Sequence, residues 1–163
     1  MTGSVLVIFT VVHVALSLVG IGSGLVVIAG FQKLRASDFW TGLFLVTTTA
    51  TSLTGFFFPF KGITPGMVIG IISIFVLALA IVASRKHLRR TFILTVALAE
   101  YLNVLIFIVQ LFAKTPALRE YAPAGGGPIV STVQLTALLV FAAITIVSIR
   151  KPGSQVSPSA SLK

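Results

Sequence analysis

The sequence predicts an all-α integral membrane bundle of five transmembrane helices. Three observations carry this. Of 163 residues, 56% are hydrophobic and 9% are charged, whereas a soluble domain carries about 25% charged residues. The apolar residues gather in five runs, near 4–31, 40–58, 64–83, 91–113 and 129–149. At about 1.5 Å of rise per residue, such runs match a hydrocarbon core of ~30 Å. The basic residues fall almost entirely in the short segments between the runs.

Those basic residues also predict orientation. With five spans, Lys33, Arg35, Arg85, Lys86, Arg89, Arg90, Arg150, Lys151 and Lys163 share one side. Only Lys61, Lys114 and Arg119 fall on the other. The positive-inside rule then places the N-terminus outside and the C-terminus inside. The net charge of +9 is thereby assigned to topology and lipid rather than to nucleic acid. No basic stretch precedes the first apolar run, so it reads as a retained span rather than a cleaved signal. The sequence has no Cys, which excludes disulfides, thiolate metal sites and Cys nucleophiles. Residues 1–150 are expected to form one bundle, and 151–163 a disordered polar tail.

The first span holds His13 and the pair Gly20/Gly24, a GxxxG spacing that lets another helix approach closely. A short loop with Lys33 and Arg35 follows, then Phe39 and Trp40 as interfacial anchors. The second span is rich in hydroxyls, Thr47 and Thr51 among them, and closes on the aromatic run Phe56-Phe57-Phe58. Pro65 fits the first turn of the third span, which carries its own pair, Gly66/Gly70. Ser84 to Arg90 reads as the most basic loop. The connection from Lys114 to Pro128 has three Pro and three consecutive Gly residues and cannot be one helix. Gln134 is the main polar residue of the fifth span.

The fourth span is the one that the others must shelter. Glu100, Asn103 and Gln110 sit at i, i+3 and i+10, on one helical face. A carboxyl near the middle of a bilayer costs roughly 2.5 kcal/mol or more, so it faces protein or a wet cavity. By helical rise, His13, Gln134, Thr51, Thr47, Gln110 and Asn103 lie at overlapping depths in the outer half, with Glu100 roughly 20 Å down. If they converge, they form a polar pocket or proton path open to the outside. The bland reading of each is a hydrogen-bonded bundle residue, the amides serving as interhelical glue.

Several chemistries are absent from the pattern. There are no paired carboxylates, no cluster with metal-ligand spacing, no P-loop and no dinucleotide fingerprint. His13 and His87 fall at different depths, which disfavours a haem held by two His. A haem with His13 as its single ligand, or a quinone held by His13 and the amides, stays open; otherwise metal and cofactor are undetermined. Three function classes follow. The first is a non-enzymatic membrane module, either a subunit of a homo-oligomer or larger membrane complex or a binder of a lipophilic ligand. The second is a small proton-coupled transporter or channel using Glu100. The third is a redox protein using His13.

The stretches TSLTGFFFPF, EYLNVLIFIVQLF and KTPALREYAP resemble segments of small uncharacterised bacterial inner-membrane proteins of similar length. The resemblance implies a bacterial inner-membrane location and brings no established activity. Glu100 departs there from a usually apolar position.

Overall fold

The computed structural model describes residues 3–32, 38–59, 62–122 and 126–151. Among them every regular element is helical. These are α1 (Gly3–Gln32), α2 (Asp38–Thr54), α3 (Pro65–Arg85), α4 (Arg89–Lys114), the single turn α5 (Pro116–Arg119) and α6 (Pro128–Arg150). A 3-10 turn, Gly55–Phe57, closes α2. Lys33, Arg35, Lys61 and the expected tail beyond Lys151 lie outside the described residues.

Four helices, α1, α3, α4 and α6, are long and apolar enough to cross a membrane. Among the described residues the protein is thus all-helical, with four helices of membrane-spanning length and apolarity where five spans were expected. The difference is α2. Its 17 residues rise about 25 Å, short of the ~30 Å core. Pro59 is the cause of its early end. The residue before a proline is pushed out of the helical region, and Phe58 is extended, at φ −68° and ψ 144°. The expected helix to residue 58 therefore ends as α-helix at Thr54 and as 3-10 turn at Phe57.

Helix starts follow local chemistry. Thr64 caps α3 by accepting from the Met67 amide at 3.3 Å, with Pro65 in the first turn. Pro116 and Pro128 open α5 and α6 in the same way, where a missing amide proton costs nothing. The basic loop is shorter than expected, because Arg85 belongs to α3 and Arg89 and Arg90 to α4. Only Lys86, His87 and Leu88 connect them. His87 takes the left-handed conformation, φ 54°. The Leu88 amide then bonds Ala83 O at 2.9 Å and the His87 amide bonds Ser84 O at 3.2 Å. That is a Schellman turn, which satisfies the last carbonyls of α3.

The helices run antiparallel in a ring. α1 packs on α2, α2 on α3, α3 on α4 and α4 back on α1, while α6 lies against α4 and touches α1 lightly. α4 is the hub. At the end that carries Arg85 to Arg90, called here the basic end, a dry core forms. It joins Val27, Ile28 and Phe31 of α1, Phe44 of α2, Val76, Leu77 and Ala80 of α3, and Ile93, Val96 and Ala99 of α4. Arg89 closes that end by donating to Ser148 O of α6 at 3.0 Å. A cation at a helix start is unfavourable alone, but here it meets the negative end of α6. At the far end a smaller cluster, Ile108, Ala122 and Val130, sits under the α4–α6 connection.

Candidate functional site

Glu100 sits where the dry core stops. It is 0% exposed, and both carboxyl oxygens are buried with no hydrogen bond of good geometry, although the Asn103 side chain lies beside them. Two neighbours shape its seat. A Cβ placed on Gly24 of α1 would lie 2.6 Å from the Glu100 carboxyl carbon and 2.9 Å from Cδ2 of Phe44. The carboxyl therefore fills the notch that Gly24 leaves, with the Phe44 ring closing one side. One turn earlier, a Cβ on Gly20 would meet Thr48 Oγ1 at 3.1 Å and Thr47 Oγ1 at 3.4 Å. The Gly20/Gly24 face of α1 thus lies against α2 and against Glu100 of α4.

From Glu100 a run of polar groups leads towards the far end. Asn103, one turn along α4, donates through Nδ2 to Thr48 Oγ1 at 3.1 Å. Next on α2 is Thr51, whose hydroxyl is buried and unpartnered. Thr54 follows, bonded to His13 Nδ1 at 2.9 Å. The Thr54 hydroxyl spends its one proton on Ala50 O at 2.7 Å. The Nδ1–H of His13 must then be the donor to Thr54, which leaves the lone pair on Nε2. The His13 ring stands edge-on to Phe58, centroids 5.1 Å apart, and Phe58 in turn packs on Phe9. Thr48 to Thr54 covers about 9 Å of helix axis.

The expected members are not all brought together. Thr47 is buried, but its hydroxyl turns back to Leu43 O at 2.7 Å. Gln134 is half-buried on α6. Gln110 is exposed, which corrects the expectation that it faces the interior with Glu100 and Asn103. Its azimuth on α4 is right, but it lies about 15 Å beyond Glu100. At that level α1 leans on α2, through His13–Thr54 and Phe9–Phe58, and leaves this part of α4 uncovered. Of the second glycine pair, a Cβ on Gly70 would meet the Phe56 ring at 3.3 Å, whereas one on the exposed Gly66 would meet only its own cap, Thr64 Oγ1, at 3.8 Å.

Thr48 and Thr54 accept the interhelical bonds from Asn103 and His13, and sequence reasoning did not single them out from the other hydroxyls. The available signal was their spacing from Phe44 and Gly20, on the stripe of α2 that faces α1. Among the described residues no three of His, Asp and Glu come together. His13 offers one ring nitrogen, and His87 lies at the basic end, in the α3–α4 turn. The ionisable residues of α1, α2 and α3 are His13, Asp38 and Arg85. His13 precedes the Glu100 contact by 11 residues of α1, about 16 Å. Asp38 opens α2 and Arg85 closes α3, both at the basic end. Among the described residues no counter-charge shares the Glu100 layer. Comparison with protein-family models, curated proteins and solved structures finds no match to this chain.

Proposed function

We propose that this chain is a small, non-enzymatic proton-handling module of a bacterial inner membrane. In this reading it has five spans, with α2 and its 3-10 turn as the second, the N-terminus outside and the basic end in the cytoplasm. The single observation that carries the reading is Glu100: fully buried, in contact with a neighbouring helix, with no charged partner and no well-formed hydrogen bond at either oxygen, the Asn103 amide being its polar neighbour. A charge left unmatched in such a place costs many kcal/mol. A group kept there at this cost is a functional-site hypothesis in its own right.

The chemistry is that of a site loaded and unloaded by protons. Glu100 takes up and releases the proton. Asn103, Thr48, Thr51, Thr54 and His13 form the route, with water entering from the outer end beside the uncovered Gln110 face. Hydroxyls and a neutral imidazole can each accept and donate, so the route needs no net charge of its own. This moves the subunit and redox readings behind the transporter-like one. His13 is held by Thr54 and Phe58, in a position suited to the mouth of that route.

The test is proton entry into vesicles of reconstituted protein, followed with an internal pH-sensitive dye under an imposed potential. Wild-type protein should dissipate the gradient faster than empty vesicles. Glu100→Gln should reconstitute equally well and return the rate to that of empty vesicles. Equal rates for wild type and Glu100→Gln would overturn the proposal.

A further inference from the structure

We infer that α1 is the shutter of the Glu100 site and that Gly24 is the positioning residue that seats it. This deepens the proton-handling reading and rests on it for its consequence. Two independent features meet at one level of the bundle. One is the seat: the Glu100 carboxyl occupies the space of the missing Gly24 side chain, tighter than any real Cβ would allow. While α1 stays there, the carboxyl is sealed at 0% exposure.

The other feature is a weak point in α1 at the same height. Gly20, Gly22 and Gly24 fall within five residues, and each glycine lowers helix propensity by about 1 kcal/mol relative to alanine. Ser23 bonds back to Val19 O at 2.7 Å and to Gly20 O at 3.0 Å, a pattern that bends helices. Either side of this point α1 is held differently. Its second half is fixed in the dry core by Val27, Ile28 and Phe31, the last against Phe92. Its first half is mostly exposed and holds to the bundle by leaning on α2 at Phe9 and His13. Bending at Gly20 to Gly24 lifts the first half while the second stays docked. That motion uncovers Glu100 and Thr48 together, because Gly24 covers one and Gly20 the other. The shutter therefore opens the site towards the polar route and not towards the basic end.

A size swap tests this in full-length protein in vesicles. The probe is dicyclohexylcarbodiimide, which reacts with a carboxylic acid. The acid O–H adds across one C=N bond, and the acyl group then migrates to nitrogen. All atoms of both reactants stay in the product, an N-acylurea that peptide mapping locates. Wild-type Glu100 should label slowly, and Glu100→Gln not at all at that position. Gly24→Ala should label several-fold faster, because the new methyl group displaces the carboxyl from its seat. Gly24→Ala combined with Glu100→Asp should return towards the slow rate, since the shorter acid retracts from the methyl group. Folded Gly24→Ala that labels at the wild-type rate overturns the inference. So does a double variant that labels as fast as the single one. If Gly24→Ala does not fold, Gly20→Ala carries the test: its Cβ meets Thr48 Oγ1 at 3.1 Å, a milder push, and a smaller rise in Glu100 labelling is expected. No rise there overturns the inference. Proton entry measured on the same vesicles separates the two claims. The labelling pattern without Glu100-dependent proton entry keeps the shutter and sinks the proton reading. Glu100-dependent entry with labelling indifferent to positions 20 and 24 does the reverse.

Discussion

The two halves of this bundle are built from different materials. At the basic end, α1, α2, α3 and α4 close on Val27, Phe44, Leu77, Ala80, Ile93 and Val96, a dry interior with no side chain in need of a partner. Towards the far end the same helices present Asn103, Thr48, Thr51, Thr54 and His13, joined by two interhelical hydrogen bonds. Glu100 lies on the boundary. The difference teaches how a small membrane protein keeps a costly group in place. The packed half contributes most of what fixes the helices, and the polar half adds a few hydrogen bonds of smaller worth.

The largest effects are expected where the packed half is disturbed. Leu77→Ala removes a side chain that is 1% exposed and should destabilise by about 2–4 kcal/mol, read from thermal unfolding in detergent. Gly20→Leu, where the two halves meet, should do comparable damage, because the new side chain drives α1 off Thr47 and Thr48. Gly22→Leu is its control. Nothing lies within 4 Å of a Cβ there, so a change within about 0.5 kcal/mol is expected. Equal damage at positions 20 and 22 would break the comparison.

Smaller effects are expected in the polar half. Thr48→Val removes the acceptor of Asn103 Nδ2 and should cost about 1–2 kcal/mol. Thr51→Val replaces a buried hydroxyl that has no partner, so stability should hold or rise slightly, by up to about 1 kcal/mol. Proton entry should nonetheless fall in Thr51→Val, since the route loses a relay. Stability and transport moving together in that variant would contradict a division of labour between the halves. His87→Gly, at the left-handed turn, should gain about 0.5–1 kcal/mol, because glycine adopts that conformation without strain.

The membrane class and the start of α3 were legible in the sequence because they depend on local properties. Apolar runs and Pro65 at a helix start each involve a few adjacent residues, whereas Pro128, expected in the connection, opens α6, and the left-handed turn at His87 was not foreseen. The length of α2 was overread because Phe56-Phe57-Phe58 is apolar enough to extend a hydropathy run, while Pro59 decides the backbone. The polar face of α4 was legible as an azimuth, and Glu100 and Asn103 follow it. Gln110 was not, because burial also depends on whether a neighbour covers that level, and α1 has turned towards α2 there. The match between Gly24 and Glu100 is tertiary. A GxxxG spacing signals close approach but does not say which side chain fills the notch. Likewise, choosing Thr48 over Thr47 needs the rotation of α2, which six hydroxyls in eight positions do not encode.

The most direct test of this two-part bundle uses its lack of cysteine, which makes single thiols clean reporters. Single variants Thr54→Cys, Thr51→Cys and Asn103→Cys would mark the polar route, and Ala80→Cys and Val96→Cys the dry core. Each is reconstituted in vesicles and exposed to a membrane-impermeant, water-soluble maleimide. The prediction is reaction at positions 54, 51 and 103, slowing with distance from the far end, and none at 80 and 96. Protection along the whole of α2 and at position 103, or reaction at 80 and 96 equal to that at 54, would contradict it.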